Sequence, residues 1–122
     1  MNDLARKTVR RQPALECGYI HESRAGVFTV VSEGERYAAR KAVSCLVYPE
    51  KGDTVLLAFD AAGQGYILSV LERPGGETAP KTLEMAGQVQ LRIQRGGLNI
   101  AAAETLSLTS EQQIAIAAER LN

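Results

Sequence analysis

Pairs of apolar residues two apart recur every eight positions toward the C-terminus: Leu98/Ile100, Leu106/Leu108 and Ile114/Ile116. Leu91/Ile93 stands seven residues before the first of these, and Leu83/Met85 eight before that. A spacing of two is the period of a strand with one buried face. Small and polar stretches, residues 101–105 and 109–113, separate the pairs. Each octad therefore reads as a short strand followed by a bend. One octad is too short to close a coil of a solenoid, and the period lies well below that of single-chain solenoid repeats. If the octads of several copies meet around an axis, each copy can supply one side. The repeat predicts an intertwined, oligomeric β-helix with Leu91, Ile93, Leu98, Ile100, Leu106, Leu108, Ile114 and Ile116 at the interface between chains.

A helix competes for the last octad. Ser110 and Gln113 have the spacing of a capping box. Ile114, Ala117, Ala118 and Leu121 then fall at helical intervals. The residues alone leave 110–121 open between β-helix and α-helix, while the upstream octads favour the strand. An antiparallel meander would want Gly-rich or Asn-Gly turns, and only Arg95-Gly96-Gly97 has that character.

Ahead of the repeat, residues 14–72 alternate as β-strands do. Leu15, Cys17 and Tyr19 share one face, and Val27, Thr29 and Val31 another. Residues 35–43 follow, and 54–60 and 66–72 are the clearest strands, rich in Val, Leu, Ile, Phe and Tyr. Turn-like separators fall at 23–26, 32–34, 49–53 and 61–65. Five short strands without a helix between them predict a small OB-like barrel, all-β, whose closure removes exposed edges. Residues 73–80, RPGGETAP, read as a linker. The expected organisation is a basic arm over 1–13, a barrel over 14–72, a linker over 73–80 and the octad repeat over 81–122.

Charge narrows the function classes. Lys+Arg and Asp+Glu both total 14, whereas dedicated nucleic-acid binders carry a basic excess. The local exception is the start, where Arg6, Lys7, Arg10 and Arg11 face only Asp3. This arm reads as a solvated tail. No apolar run approaches the roughly 20 residues of a membrane span, and no apolar stretch comes after the basic residues as in a signal peptide. Assembly in the cytoplasm is the expectation, with delivery outside the cell as part of a larger apparatus. Cys17 and Cys45 lack metal-ligand spacing and read as reduced, partly buried thiols.

Little chemistry is visible. His21 is the single histidine and reads as a turn or surface residue. Asp53 and Asp60 bracket a strand and read as turn residues rather than paired catalytic carboxylates. Gly63-Gln64-Gly65 precedes no helix pattern and reads as a hairpin turn rather than a phosphate loop. No catalytic, cofactor-binding or metal site is expected, and no cofactor. An OB barrel could bind a single strand through Tyr19, Phe28, Tyr37, Tyr48 and Tyr66 with Arg24, Arg36, Arg40 and Lys41. With aromatics at 5% of the chain and no Trp, these rings are expected to fill the barrel and its seams. A monomeric OB-type module for single-stranded nucleic acid or carbohydrate is the alternative reading.

The order of these parts resembles a known family. Residues 49–74, PEKGDTVLLAFDAAGQGYILSVLERP, leading to a short linker and apolar octads, are similar to the spike proteins of contractile injection systems. These are the valine–glycine-repeat proteins of type VI secretion and the tailspike-hub proteins of contractile phages. Pro49, Gly52 and Asp53 match that family's Pro-x-x-Gly-Asp turn before a barrel strand, here Val55-Leu56-Leu57, and 67–71 matches its closing strand. The family's large hub domains have no counterpart here, and Gly87 and Gly97 are the only remnants of a Val-x-Gly signature. The layout is most similar to small type VI secretion-associated proteins. The chain stops at Leu121-Asn122, where another octad would begin, as a short needle or a truncated one would. The resemblance implies a non-enzymatic spike or adaptor, a homotrimer whose partners are spike, tip or effector proteins.

Overall fold

A computed structural model describes residues 14–119; the basic arm over 1–13 lies outside the described residues, as do Arg120, Leu121 and Asn122. Five strands form a closed barrel: β1 (Ala14–Arg24), β2 (Val27–Ser32), β3 (Glu35–Lys41), β4 (Thr54–Phe59) and β5 (Gly65–Glu72). The order around the barrel is β1-β2-β3-β5-β4, closed by β4 against β1. All neighbours are antiparallel except β3 and β5, which run parallel through Ala39↔Gly65, Arg40↔Tyr66 and Lys41↔Ile67. The sole helical turn among the described residues is a 3₁₀ turn at Gly76–Thr78.

β1 is the strand that makes closure possible. Its first half pairs with β4, from Ala14↔Phe59 to Tyr19↔Thr54, and its second half pairs with β2. The register slips between Ile20 and Glu22, which leaves His21 as the extra residue. Such a bulge sharpens the bend and twist of a strand, and here it carries one chain from one side of the barrel to the other. His21 is half-buried at that bulge rather than at a turn, because β1 runs on to Arg24.

Burial alternates strictly on β2 and β4. The core consists of Ile20, Phe28, Val30, Tyr37, Ala39, Cys45, Val55, Leu57, Phe59 and Ile67. Tyr37 meets Phe59 edge-on with ring centroids 4.8 Å apart, and Tyr48 meets Phe28 at 5.7 Å. These rings therefore fill the barrel and a seam. Tyr19 does not; it is exposed. The apolar face of β1, with Leu15, Cys17 and Tyr19, points outward, and Gly18 and Ile20 point in. A Cβ on Gly18 would lie 2.7 Å from the Val31 carbonyl oxygen and 2.8 Å from Val30 Cγ1. The approach of β2 thus requires glycine here, and the parity of β1 comes from that contact rather than from hydropathy. One of the two thiols, Cys45, is buried, while Cys17 is exposed.

Residues 81–119 form no strand ladder beyond a single bridge, Val47↔Leu83. Between bends at Gly87, 94–96, 103–104, 111–112 and Glu119 these residues take neither helix nor strand. Gly87, Arg95, Ala103, Glu111 and Glu119 are successive members of these bends, each eight residues after the last. No helix forms over 110–119. Ser110 Oγ accepts from the Gln112 and Gln113 N–H groups at 3.3 and 3.1 Å, so the predicted capping residue serves a bend. The compact units of the chain divide between Val89 and Gln90.

Candidate functional site

Two features stand apart from ordinary barrel packing: a buried clasp at the root of the tail, and the tail itself. The clasp begins with the 49–53 turn. Pro49 is fully buried, and Gly52 has φ 92°, a conformation that favours glycine. The Gly52 N–H donates to the Ile20 carbonyl and the Ile20 N–H to the Asp53 carbonyl, each at 2.9 Å. These bonds lay the turn against β1 just at its bulge. Asp53 is fully buried, and its Oδ2 accepts from the Glu50 N–H at 2.7 Å.

Arg73, the residue after β5, completes the clasp. Its Nε donates to Asp53 Oδ1 at 2.9 Å and its Nη2 to Asp53 Oδ2 at 2.8 Å. Nη2 also donates to the Tyr48 carbonyl at 2.9 Å, and Nη1 to the Pro80 carbonyl at 2.6 Å. Glu50 approaches Nη1 at 3.8 Å. The hydrogen bond to Asp53 pushes the Arg73 pKa upward, with the charges of Asp53 and Glu50 adding and burial opposing. Only 9% of the Arg73 side chain is exposed. Such a pair costs desolvation, which the bidentate geometry and further acceptors offset.

The clasp therefore holds three segments together: the 48–53 turn, the end of β5 and Pro80. The Tyr48 N–H donates to the Thr82 carbonyl at 2.7 Å, and Lys81 Nζ donates to the Glu77 and Ala79 carbonyls. Residues 73–82 are thus folded back and fastened rather than slack. Glycine and proline there serve a turn, with Gly75 and Gly76 both at positive φ.

The tail exposes every predicted interface residue. Leu91, Ile93, Leu98, Ile100, Leu106, Leu108, Ile114 and Ile116 are all exposed, from 45% at Ile93 to 75% at Ile116. Monomeric proteins seldom leave so many large apolar side chains to water, and such surfaces mark interaction sites.

The residues weighed for strand binding are only partly brought together. Arg36, Tyr37 and Arg40 line a cleft of about 510 Å³ with Phe59 and the 62–64 turn. Arg36 and Arg40 are exposed on either side of Ala38, but Tyr37 and Phe59 are buried against each other. Phe28 is in the core. Base stacking needs an open ring face, and the rings lining this cleft have none to offer. Asp53 and Asp60 do not face one another as an acid–base pair would. Asp53 is committed to Arg73, and Asp60 Oδ1 accepts from the Ala62 and Gln64 N–H groups. No group of three or more His, Cys, Asp or Glu able to hold a metal occurs among the described residues. Among them also no helix is long and apolar enough to cross a membrane.

A closed five-stranded barrel with strand order β1-β2-β3-β5-β4 is consistent with the OB-like class. The chain belongs to the family described as "Protein of unknown function (DUF3540)", whose model matches residues 18–122. No curated protein and no solved structure matches it. The family match spans barrel and tail together, so the two parts occur as one unit of sequence.

Proposed function

We propose that this protein is a non-enzymatic, trimeric structural component of a contractile injection apparatus of the type VI secretion or phage-tail kind. It acts as a spike-like or adaptor piece that presents a tip protein or effector, assembled in the cytoplasm and carried outward with the machine. The observation that carries the reading is the tail. Stretches without helix or strand alternate with bends at a period of eight, and their apolar pairs have no cover among the described residues. Burying one Leu or Ile side chain contributes about 1.5–3 kcal/mol. The backbone groups of an extended stretch also need partners. Copies wound about a common axis meet both demands at once, and the product is stiff. The clasp suits the same role, because it fixes the first residues after the barrel.

Sedimentation equilibrium of the intact chain tests the reading. A mass of three chains at micromolar concentration is expected; a single-chain mass there refutes it. The second reading, a monomeric OB-type binding module for single-stranded nucleic acid or carbohydrate, draws on the cleft between Arg36 and Arg40. The buried Tyr37 and Phe59 weigh against it, and it leaves the tail without a role.

A further inference from the structure

We propose that Arg95 of one copy pairs with Glu104 of the neighbouring copy, forming a charge contact between successive bends that ties the copies together at the head of the repeat. The pairing rests on the trimer reading and names the contact by which copies recognise each other.

Ahead of residue 94 the tail carries charge between its bends, at Glu84 and Arg92, but from there on charge is confined to particular places. Between residues 94 and 119 the charged residues are Arg95, Glu104, Glu111 and Glu119. Every one of them lies at a bend, and every one is exposed. The stretches between bends, 97–102, 105–110 and 113–118, carry no charge. Beyond Ile93, straight segments hold apolar, small and uncharged polar residues, and the bends hold the charge.

The stretches of one chain do not pair with each other. On the trimer reading their N–H and C=O groups are paired by other copies rather than by water. In a closed ring where each chain advances one side per octad, a stretch lies on the preceding stretch of its neighbour. Bends of adjacent copies consequently stack at the strand spacing, about 4.8 Å. The eight-residue register puts Arg95 over Ala103, and Gly96 over Glu104. Ala103 is small and Gly96 has no side chain, so nothing stands between the long Arg95 side chain and Glu104. Further down, Glu111 stacks over Glu119, carboxylate against carboxylate. Among the described residues of the repeat beyond Ile93, Arg95 is the only cation, which makes Arg95–Glu104 the attractive contact in this part of the column.

Two measurements on the full-length chain test the pairing. In a Cys17→Ser background, Arg95→Cys with Ala103→Cys places thiols on stacked bends, within the Cα separation a disulfide tolerates. Oxidation is expected to give two- and three-chain species on a denaturing gel, lost on reduction. At a protein concentration where sedimentation shows this variant at three-chain mass, thiols consumed within single chains, or no disulfide at all, overturn the proposal. Separately, Arg95→Glu and Glu104→Arg should each weaken assembly by about tenfold or more, since the loss occurs once for every copy in the ring. The double exchange should restore wild-type assembly, and a mixture of the two single variants should assemble better than either alone. If both single variants assemble as wild type does, or the double exchange fails to restore, the pair is refuted while the trimer stands. A wild-type chain of single-chain mass refutes both; circular dichroism confirms that the barrel is folded in each variant.

Discussion

Arg73 grips Asp53 side-on across twenty residues of chain, Nε on one carboxylate oxygen at 2.9 Å and Nη2 on the other at 2.8 Å. Both partners are buried, and the same guanidinium holds the carbonyls of Tyr48 and Pro80. The pair does more than balance charge: it joins the turn that opens β4 to the end of β5, and both to the first residues of the tail.

Breaking one half of that pair should cost far more than replacing both. Asp53→Leu leaves a buried guanidinium without its carboxylate, and about 3–5 kcal/mol of stability should be lost. Arg73→Lys should also destabilise, since an ammonium cannot reproduce the planar fork. Asp53→Leu with Arg73→Met should be less damaging than Asp53→Leu alone. Urea unfolding of wild type, Asp53→Leu, Arg73→Met and the double variant gives the cycle. If the double variant loses the sum of the two single losses, the residues are not coupled.

Gly18 offers a sharper steric test. An alanine there drives its Cβ into the Val31 carbonyl and Val30 Cγ1, both part of the β1–β2 ladder. Gly18→Ala should lower stability by about 1–3 kcal/mol, the range for overpacked cores. Gly34→Ala has open space and only its positive φ to oppose it, so its smaller loss should come without disturbing the β1–β2 amides in exchange measurements. A fully stable Gly18→Ala protein would mean that β2 does not approach β1 as described.

The barrel was legible where chemistry is local. The β4 and β5 strands show through their β-branched and aromatic runs, and Asp60 shows as a turn residue because its side chain bonds two residues on. The inward face of β1 was not legible. Leu15, Cys17 and Tyr19 look like a core stripe, but the tight contact at Gly18 decides which parity faces in. Nor was the clasp. Asp53 and Arg73 look like a turn residue and a linker residue, and only the closed barrel makes them neighbours. A lone Arg between the last strand and a proline was the available signal. Ser110 misleads for another reason: the same hydroxyl-to-amide bonds cap a helix or a bend, and the conformation of residues 114–118 decides between them.

The two thiols should differ in reactivity. Cys17 is exposed and Cys45 is buried, with its Sγ directed to the Val47 carbonyl at 3.4 Å. Burial pushes the Cys45 pKa up, against a smaller opposing effect of Lys41. One thiol should react with a disulfide reagent in the native protein, and the second only on unfolding. The burial also sets the sign of a pH effect. The unfolded chain loses the Cys45 proton first, so stability is intact below the ordinary thiol pKa and falls as pH rises past it. In a Cys45→Ala variant that alkaline slope should shrink. Two equally fast native thiols would contradict the burial.

Ile100 and Asn99 separate a strand from every alternative in the tail. They are adjacent, and successive side chains of an extended stretch point to opposite faces. Ile100 lies at the same octad position as Leu108 and Ile116, so on the trimer reading all three face the axis. Ile100→Asp then brings one carboxylate per copy into an apolar core. Burying unpaired charge is costly, and like charges crowded together raise one another's pKa. Assembly should be lost at neutral pH and recovered in part on acidification, as those carboxylates take up protons. Asn99→Asp adds the same charge on the outer face and should leave the mass by light scattering unchanged. If the two variants behave alike, the odd–even contrast is absent, and the apolar pairs of the octads do not meet at an axis.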